Sequence, residues 1–245
     1  MPDKLSSIPD EWFNRDFAEQ WDKTALAGNH TRAEHLDILL SIVSKEYQAG
    51  KTILDLGIGS GQIEATIFAQ RPEADIVGVD YSPAMLELAQ KRLGSFLDHC
   101  VIIQHDFRDL EKLYLPQRQY QIAISVQALH HIPHQNKLEL FKYVYRILED
   151  DGIFLLSDRI AIDTAHLSHL YITLWERLEQ QAQIKSGWSG EYYLQRLPQK
   201  ADYPATLEEL LTWLREAGFH ASCLYLQMDR TLIAGIKNKT SRTTK

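Results

Sequence analysis

The chain has 245 residues, and its 26 Lys and Arg against 33 Asp and Glu give a formal net charge of −7. Hydrophobic residues make up 44% and charged residues 24%, a composition that predicts a folded globular protein and excludes a disordered one. The excess of acid argues against nucleic-acid binding, which needs a basic face. No apolar run reaches the roughly 18–20 residues that cross a bilayer, and the first residues lack the apolar segment of a signal peptide. We therefore expect a cytoplasmic protein that binds neither nucleic acid nor membrane.

The two cysteines, Cys100 and Cys223, lie far apart, each in an apolar stretch. They fit neither a CxxC motif nor a metal-ligand spacing. Buried free thiols in a reducing compartment are the expected state, with no metal bound.

An aromatic segment from Trp12 to Trp21 opens the chain, and a helix is predicted over 31–47, where apolar residues recur at helical spacing. We expect residues 1–48 to form a helical N-terminal cover. Short β-branched runs then alternate with amphipathic stretches, which predicts parallel strands flanked by helices. The predicted strands are 52–56, 75–79, 101–103, 121–125 and 152–156, and the helices between them are 61–70, 83–93 and 136–148.

The pattern changes after the fifth strand. A long helix is predicted over 163–185, and Ser-Gly pairs flank Trp188, so that residues 159–203 read as a lid inserted over the site. Thr206 and Glu209 have the spacing of a capping box at the start of a helix over 206–217. Two strands near 220–227 and 230–236, joined by a tight turn, predict an antiparallel pair.

The expected fold is therefore α/β: a Rossmann-like, doubly wound, seven-stranded sheet, mostly parallel with an antiparallel last strand. Helices of the N-terminal cover and the lid insertion add to it. We expect a single domain, in which residues 49–158 form the core, residues 204–237 a C-terminal helix and hairpin, and residues 238–245 a flexible tail.

A glycine-rich turn follows the first strand, in Ile53-Leu-Asp-Leu-Gly-Ile-Gly-Ser-Gly-Gln62. Its glycines let the backbone approach a ligand and offer N–H groups at the start of a helix. A dinucleotide fingerprint, GxGxxG, would have its third glycine where Gln62 stands. Asp55 would oppose a pyrophosphate and suits a ligand with positive charge.

With this turn the sequence resembles the class I S-adenosylmethionine-dependent methyltransferases, whose first motif is (D/E)xGxGxG, and within them the small-molecule types 11 and 12. The resemblance continues in order over about residues 50–160. It includes an acidic motif after the second strand (77–83), Gln104-His-Asp106-Phe107 after the third, and an LHH segment (125–133) after the fourth. Two positions depart from the family pattern: Gln121 replaces an Asp, and Asp151-Gly152 replaces Gly-Gly.

The resemblance implies that S-adenosylmethionine is the cofactor and S-adenosylhomocysteine the product. It implies that Asp80 accepts hydrogen bonds from the ribose hydroxyls, and that Asp106 meets the adenine amino group. Met85 covers the cofactor or belongs to the core. Asp55 either orders the glycine turn without touching the cofactor or meets its ammonium group through water. The expected cofactor-binding residues are Asp55, Gly57, Gly59, Gly61, Asp80, Tyr81, Met85, Asp106, Phe107, Val126 and His130.

The acceptor is expected to be a small molecule with an O, N or C nucleophile that attacks in line with the sulfur. His130 is the candidate general base because imidazole titrates near neutrality; alternatively, it only packs on the cofactor. The lack of an (N/D/S)PP(Y/F) segment argues against nucleobases and glutamine amides as acceptors. Candidate acceptor-binding residues are Trp21, Arg32, Asp158, Trp188 and Tyr192.

Other interpretations stay open. The protein could bind S-adenosylmethionine or S-adenosylhomocysteine without catalysis, or transfer a modified group from a carboxylated cofactor, which would favour an arginine such as Arg32 or Arg159. A NAD-dependent oxidoreductase is disfavoured by the GxGxG pattern. The sequence is compatible with a monomer or a homodimer.

Overall fold

The computed structural model describes residues 10–24, 30–182, 185–197 and 202–239. Its centre is a sheet of seven strands: β1 (Thr52–Leu56), β2 (Asp75–Asp80), β3 (Cys100–Gln104), β4 (Tyr120–Val126), β5 (Leu148–Arg159), β6 (His220–Gln227) and β7 (Arg230–Ile236). Their order across the sheet is β3-β2-β1-β4-β5-β7-β6. Strands β1 to β5 are parallel, and β7 runs antiparallel between β5 and β6. The predicted doubly wound sheet with its reversed last strand is confirmed.

The helices in the described part of the chain are α1 (Arg15–Thr24), α2 (His30–Glu46), α3 (Gln62–Gln70), α4 (Pro83–Arg92), α5 (His134–Ile147), α6 (Thr164–Gln181), α7 (Gly190–Gln195) and α8 (Leu207–Glu216). Within these residues, no helix combines the length and apolarity that spanning a membrane requires. The short α7 was not predicted, and α6 ends earlier than predicted. The first nine residues of the predicted cover and the last six of the predicted tail lie outside the described residues.

Two apolar clusters form the core, one on each face of the sheet. Consecutive residues of a strand point to opposite faces, so Ile53 packs with α2, α3 and α4, whereas Leu54 and Leu56 pack with α5 and α8. Both faces are covered, which is why the strands read as continuous apolar runs rather than as an alternation. The carboxyl ends of the parallel strands are left at one edge, where a ligand site is expected.

The helix starts follow the cap signals of the sequence. The hydroxyl of Ser82 accepts a hydrogen bond from Met85 N at 3.1 Å, and Pro83 is the first residue of α4. Thr206 and Glu209 form the predicted capping box at the start of α8. The cap at Ser82 fixes how the chain leaves β2, next to Asp80.

The two departures from the family pattern both lie near the amino ends of strands, Gln121 in β4 and Asp151 in β5. The amide of Gln121 donates to Glu46 O at 3.0 Å and accepts from Gln48 N at 3.0 Å, so it ties the loop after α2 to β4. Asp151 takes a left-handed conformation with φ of 60°, which Asp tolerates better than most residues. Neither residue lies near the carboxyl ends of the strands.

The segment expected to be a lid forms a small aromatic cluster of its own. The rings of Trp175 and Tyr193 stack with centroids 3.9 Å apart, and the indole N–H of Trp175 donates to Trp188 O at 3.0 Å. A Cβ on Gly190 would lie 2.8 Å from Ile172 Cα, so α7 sits directly on α6. The hydroxyl of Tyr193 bonds Asp229 in the turn before β7. These aromatic residues therefore stabilise α6 and α7 against each other and against the hairpin.

Candidate active site

A cavity opens at the carboxyl ends of β1, β2 and β4. Its position is where doubly wound sheets bind ligands. Five stretches of chain line it: Trp12 and Trp21 of the cover; Gly57 and Gly59; Asp80, Tyr81, Ser82 and Met85; Asp106, Phe107 and Arg108; and Val126, Gln127, Ala128, His131 and Ile132.

The glycine turn is the floor of this cavity. Gly57 has φ of 109°, and a Cβ on it would lie 2.2 Å from the Cβ of Ala128, so no side chain fits there. Its N–H donates to Val79 O at 2.8 Å, which draws the turn against the end of β2. The backbone is thereby exposed to whatever occupies the cavity.

Asp80 stands at the end of β2 with both carboxylate oxygens held by backbone. Gly59 N donates to Oδ2 at 2.9 Å and Ser82 N to Oδ1 at 2.9 Å. Each oxygen retains a lone pair, so the carboxylate can still accept from two neighbouring hydroxyl groups. Burial raises the pKa of Asp80, and a ligand that donates to the ionised form would bring it down. This is the geometry that a ribose diol requires.

Asp106 forms a salt bridge with Arg108, a residue outside the motif. Arg108 places Nε 3.0 Å from Oδ1 and Nη2 2.5 Å from Oδ2 of this carboxylate. Burial acts to raise the pKa of Asp106, but the hydrogen bonds from Arg108 outweigh it and the pKa is lowered. Asp106 therefore stays ionised and remains an acceptor at the cavity wall.

Asp55 lies beneath the glycine turn rather than in the cavity wall. It is 1% exposed, and Glu64 of α3 is fully buried as well. Burial raises the pKa of both carboxyl groups, and the charge of Glu64 raises that of Asp55 further. We infer that the two carboxyl groups share one proton, because two buried like charges repel each other. Asp55 does not line the cavity, and its expected contact with the cofactor stays a prediction.

The shared proton predicts a pH effect on stability for Glu64→Gln. The raised pKa values stabilise the fold fully below the ordinary carboxyl pKa of about 4, and this contribution is lost as the pH rises through the raised values. Each unit of raised pKa costs about 1.4 kcal/mol at high pH. The introduced glutamine amide keeps a donor to Asp55 at all pH values, so the variant should gain stability relative to the wild type between about pH 5 and pH 8 in urea unfolding. A pH-independent difference would contradict the shared proton.

The two histidines after β4 have different partners. His130 is buried, and its Nδ1 lies 2.5 Å from Oδ1 of Asp158. Burial lowers the pKa of His130, so it is a neutral imidazole that donates to the carboxylate. Neither His130 nor Asp158 lines the cavity, and the roles expected of His130, cofactor contact and general base, stay predictions. The hydrogen bond between them joins the turn after β4 to β5.

His131 is the histidine in the cavity wall. Its Nδ1 lies 2.9 Å from Oδ1 of Asp202, whose side chain is 4% exposed. Arg159 donates to the other oxygen of Asp202 at 2.8 Å. Burial acts to raise the pKa of Asp202, but its contact with His131 and the charge of Arg159 are among the effects that outweigh burial, and the pKa is lowered. Asp202 therefore stays ionised beside Nδ1 of His131, and Nε2 is the ring nitrogen that does not face it.

A metal ion is the alternative use of these groups. Ligand atoms of His130, His131 and Asp202 lie within 4.8 Å of one another. However, Asp158 already bonds His130, and the guanidinium of Arg159 already neutralises Asp202. The donor set is therefore better suited to proton transfer than to holding a cation.

Hydrogen bonds to the carboxylate of Asp22 hold the N-terminal cover against the glycine turn. The carboxylate of Asp22 accepts from Ser60 Oγ at 2.5 Å, from Gln62 Nε2 at 2.6 Å and from Arg92 Nη2 at 2.7 Å. Ser82 Oγ donates to Trp12 O at 2.5 Å, close to the edge contact between Trp12 and His131. These bonds hold Trp12 and Trp21 over the cavity.

Replacing Asp22 by alanine is expected to loosen α1 without unfolding the protein. Loss of hydrogen bonds to a charged group costs about 1.5–3 kcal/mol, so the amides of α1 should exchange with deuterium at least tenfold faster. Glu19→Ala, on the same helix but in an exposed pair with Arg15, is the matched control and should change little. Equal exchange in the two variants would show that Asp22 does not fasten the cover.

The structure separates the sequence-predicted site residues into two groups. Of the expected cofactor contacts, Gly57, Gly59, Asp80, Tyr81, Met85, Asp106, Phe107 and Val126 line the cavity, whereas Asp55, Gly61 and His130 do not. Gly61 instead lets α3 approach α4, where a Cβ would lie 3.2 Å from Ala89 Cα. Residues that the motifs missed are Trp12, Ser82, Arg108, Gln127, Ala128, His131 and Ile132.

The candidate acceptor residues also divide. Trp21 lines the cavity, and the guanidinium of Arg32 lies 5.1 Å from the centroid of the Trp21 ring. Trp188 and Tyr192 lie outside the cavity wall, where Arg196 packs over both rings, with its guanidinium 4.3 Å and 5.8 Å from their centroids. These two rings also pack on each other, with centroids 5.6 Å apart, and their expected contact with the acceptor stays a prediction.

Comparison with known proteins agrees with this site. Residues 53–152 match the family described as methyltransferase domain. A carboxy-S-adenosyl-L-methionine synthase of Nautilia profundicola is 24% identical over 224 residues, which cover 89% of this chain and 92% of the relative. A malonyl-[acyl-carrier protein] O-methyltransferase of Ilyobacter polytropus is 30% identical over 57% of this chain and 48% of its own length.

The fold is shared with PigF solved with SAH, at a TM-score of 0.62 and 17% identity, over 94% of this chain and 62% of PigF. The residues of the cavity fit S-adenosylmethionine: Asp80 can take the ribose hydroxyls, the glycine turn leaves room for the backbone to approach, and the Tyr81 hydroxyl is buried with no hydrogen bond from the described residues. Residues 53–152 thus match a methyltransferase domain, and the fold and the cradle agree with S-adenosylmethionine as its cofactor.

Proposed function

We propose that the protein methylates a hydroxyl group of a small-molecule acceptor, with His131 as the general base. The observation that carries this proposal is the His131–Asp202 pair in the wall of the same cavity as the cofactor cradle. An acceptor that must lose a proton needs such a base, whereas a carboxylate or a free amine does not.

In the proposed reaction, different residues of the cavity bind the cofactor, exclude water and accept the proton. Asp80 and the glycine turn hold the cofactor, and Trp12 and Trp21 exclude water from the cavity. When bound, S-adenosylmethionine supplies a methyl group whose C–S bond breaks as the bond to the acceptor oxygen forms, leaving S-adenosylhomocysteine. The proton of the acceptor hydroxyl goes to Nε2 of His131, and the ionised Asp202 stabilises the imidazolium. Alignment of the reactants supplies much of the rate, up to about 7–11 kcal/mol in favourable cases.

A second candidate function comes from the relatives. The Nautilia protein, which matches most of this chain, is described as a carboxy-S-adenosyl-L-methionine synthase. A protein with that function would carry a carboxylated cofactor rather than pass a methyl group to an acceptor. Mass spectrometry of the nucleoside released from the purified protein distinguishes the two, because the carboxylated cofactor is heavier by one carboxylate group.

The proposal also places the protein in the cytoplasm. Cys100 and Cys223 are both free thiols, as is usual in a reducing compartment.

Calorimetry with S-adenosylmethionine, S-adenosylhomocysteine and NADH tests the cofactor, and a tritiated-methyl assay over a metabolite library tests the transfer. We expect saturable binding of the first two ligands and transfer of label to a hydroxyl compound. Saturable binding of NADH alone would overturn the proposal. Cofactor binding with no labelled product from any hydroxyl compound would favour the non-catalytic interpretation.

A further inference from the structure

A chain of buried side-chain contacts joins the aromatic cluster of α6 and α7 to His131. The hydroxyl of Tyr193 donates to one oxygen of Asp229, in the turn before β7, and the other oxygen lies 3.4 Å from Nε of Arg159. Nη1 of Arg159 donates to Oδ2 of Asp202 at 2.8 Å, and Oδ1 of Asp202 lies 2.9 Å from Nδ1 of His131. The packing of the cluster is thereby connected to the histidine in the cavity wall.

Arg159 is the centre of this chain, and each of its guanidinium nitrogens has an acceptor. Nε faces Asp229, Nη1 bonds Asp202, and Nη2 donates to Leu197 O at 2.6 Å. The side chain of Arg159 is 10% exposed. A guanidinium group is planar, so its bonds have fixed directions relative to one another. Asp229 and Leu197 O therefore set the direction from which Arg159 meets Asp202.

The main chain around Asp202 is held by other residues. Tyr203 N donates to His130 O at 2.6 Å, and Nζ of the buried Lys137 donates to Tyr203 O at 2.5 Å. These bonds hold the backbone beside the turn after β4 independently of the side chain at position 159. Arg159 therefore determines the orientation of the Asp202 carboxylate rather than the position of its backbone.

Tyr193 is suited to be the fixed end of the chain. It is 4% exposed, and its ring is stacked on Trp175. Burial raises the pKa of Tyr193 and the charge of Asp229 raises it further, so the hydroxyl stays protonated and keeps donating to Asp229. The backbone of the turn is held as well, since Ile160 N donates to Asp229 O at 2.7 Å. Asp229 therefore offers Arg159 a carboxylate oxygen in a fixed place.

We propose that Arg159 is a positioning residue for the His131–Asp202 pair, and that α6 and α7 fix Arg159 through Tyr193 and Asp229. The inference rests on the proposed function, in which Nε2 of His131 takes a proton from the acceptor. A histidine base is effective when a second group holds its tautomer and orientation, and an oriented Asp202 favours the tautomer with its proton on Nδ1. In this arrangement the aromatic cluster acts on the reaction without lining the cavity.

The test observes the ring of His131 directly and needs no known acceptor. Protein with 15N-labelled histidine is saturated with S-adenosylhomocysteine, and NMR at about pH 8, where an ordinary imidazole is neutral, shows which ring nitrogen carries the proton. The signal of His131 is the one that is missing from His131→Ala. We expect the proton on Nδ1 in the wild type, and a wild-type ring protonated mainly on Nε2 would overturn the proposal.

Arg159→Lys keeps the positive charge but loses the planar fork that joins Asp202 to Asp229 and Leu197 O. The fraction of His131 with its proton on Nε2 should rise about threefold or more, as is usual when contacting residues are uncoupled. The affinity for S-adenosylhomocysteine, which also reports that the variant is folded, should stay within about twofold of the wild type.

Tyr193→Phe is the milder variant, because its stacked ring is kept and only the hydroxyl is removed. It should shift the tautomer of His131 in the same direction, and it decides the question if Arg159→Lys does not fold. Tyr171→Phe removes a hydroxyl from a tyrosine packed against the same cluster and should leave the ring signal unchanged. In an Asp202→Asn background, Tyr193→Phe should have no further effect, since the link passes through that carboxylate.

Two further outcomes would overturn the proposal. One is a His131 signal that neither Arg159→Lys nor Tyr193→Phe changes. The other is an equal effect of Tyr193→Phe and Tyr171→Phe, which an ordinary packing defect would give. Failure of the proposed function differs from both, because the His131 signal then responds as expected while the wild type transfers no labelled methyl group to any hydroxyl compound.

Discussion

Replacing Asp80 by alanine should weaken binding of S-adenosylmethionine by about 100-fold or more. The wild-type carboxylate offers two charge-assisted hydrogen bonds to the ribose, each of which contributes about 1.5–3 kcal/mol. The alanine variant also leaves Gly59 N without the acceptor that holds the glycine turn in place. Calorimetry with S-adenosylhomocysteine measures the loss without requiring a known acceptor.

A matched control lies at the other end of the same strand. Asp75 begins β2 and pairs with His99 on the surface, so Asp75→Ala removes the same charge and the same atoms far from the cavity. We expect its affinity for S-adenosylhomocysteine to stay within about twofold of the wild type. An Asp80→Ala protein that binds as well as this control would mean that the ribose lies elsewhere.

Replacing His131 by alanine should lower kcat by about 10²–10⁴, the usual contribution of a general base. Binding of S-adenosylhomocysteine should change little, because the cofactor-side carboxylates are intact. Asp202→Asn should lower kcat as well, since the amide no longer stabilises an imidazolium beside it. Turnover of a hydroxyl acceptor by tritiated-methyl transfer is the measurement.

His130→Gln distinguishes the two histidines. Glutamine can still donate to Asp158, so the turn after β4 should be retained, and turnover should stay near that of the wild type. A loss as large as that of His131→Ala would return the role of base to His130. A His131→Ala protein with unchanged turnover would show that the acceptor needs no base.

The parts of the molecule that the sequence predicts well depend on local signals. The strands, the glycine turn and the cap at Ser82 each follow from residues close together in the chain, and Asp80 from its place at a strand end. The choice between His130 and His131 does not, because they are neighbours in one 3₁₀ turn and its orientation decides which one faces the cavity. The LHH segment does show two adjacent histidines, but the sequence does not tell which of the two side chains faces the cavity.

Contacts between residues far apart in the chain could not be predicted either, because local sequence patterns do not specify them. Asp202 and His131 lie on separate segments, and nothing near either residue indicates the other. The aromatic residues of the insertion have the composition of a lid, yet Trp175 stacks on Tyr193 and closes the segment on itself. The number of aromatic residues indicates how much apolar surface must be buried, but it does not indicate which part of the protein they pack against.

The reversal of β7 decides where the end of the chain is used. Each parallel strand brings its last residues to the ligand edge of the sheet, but an antiparallel strand brings its first, so Arg230 reaches the same edge as Asp80 and Gln127. Arg230 bonds the side chain of Gln127, so the C-terminal hairpin supports the cavity wall without lining it. The segment 53–152 contributes the glycine turn, Asp80, Asp106 and His131 to the cavity, whereas Trp12 and Trp21 precede it. A change in the hairpin can therefore move the wall of the cavity while every residue that lines it stays the same.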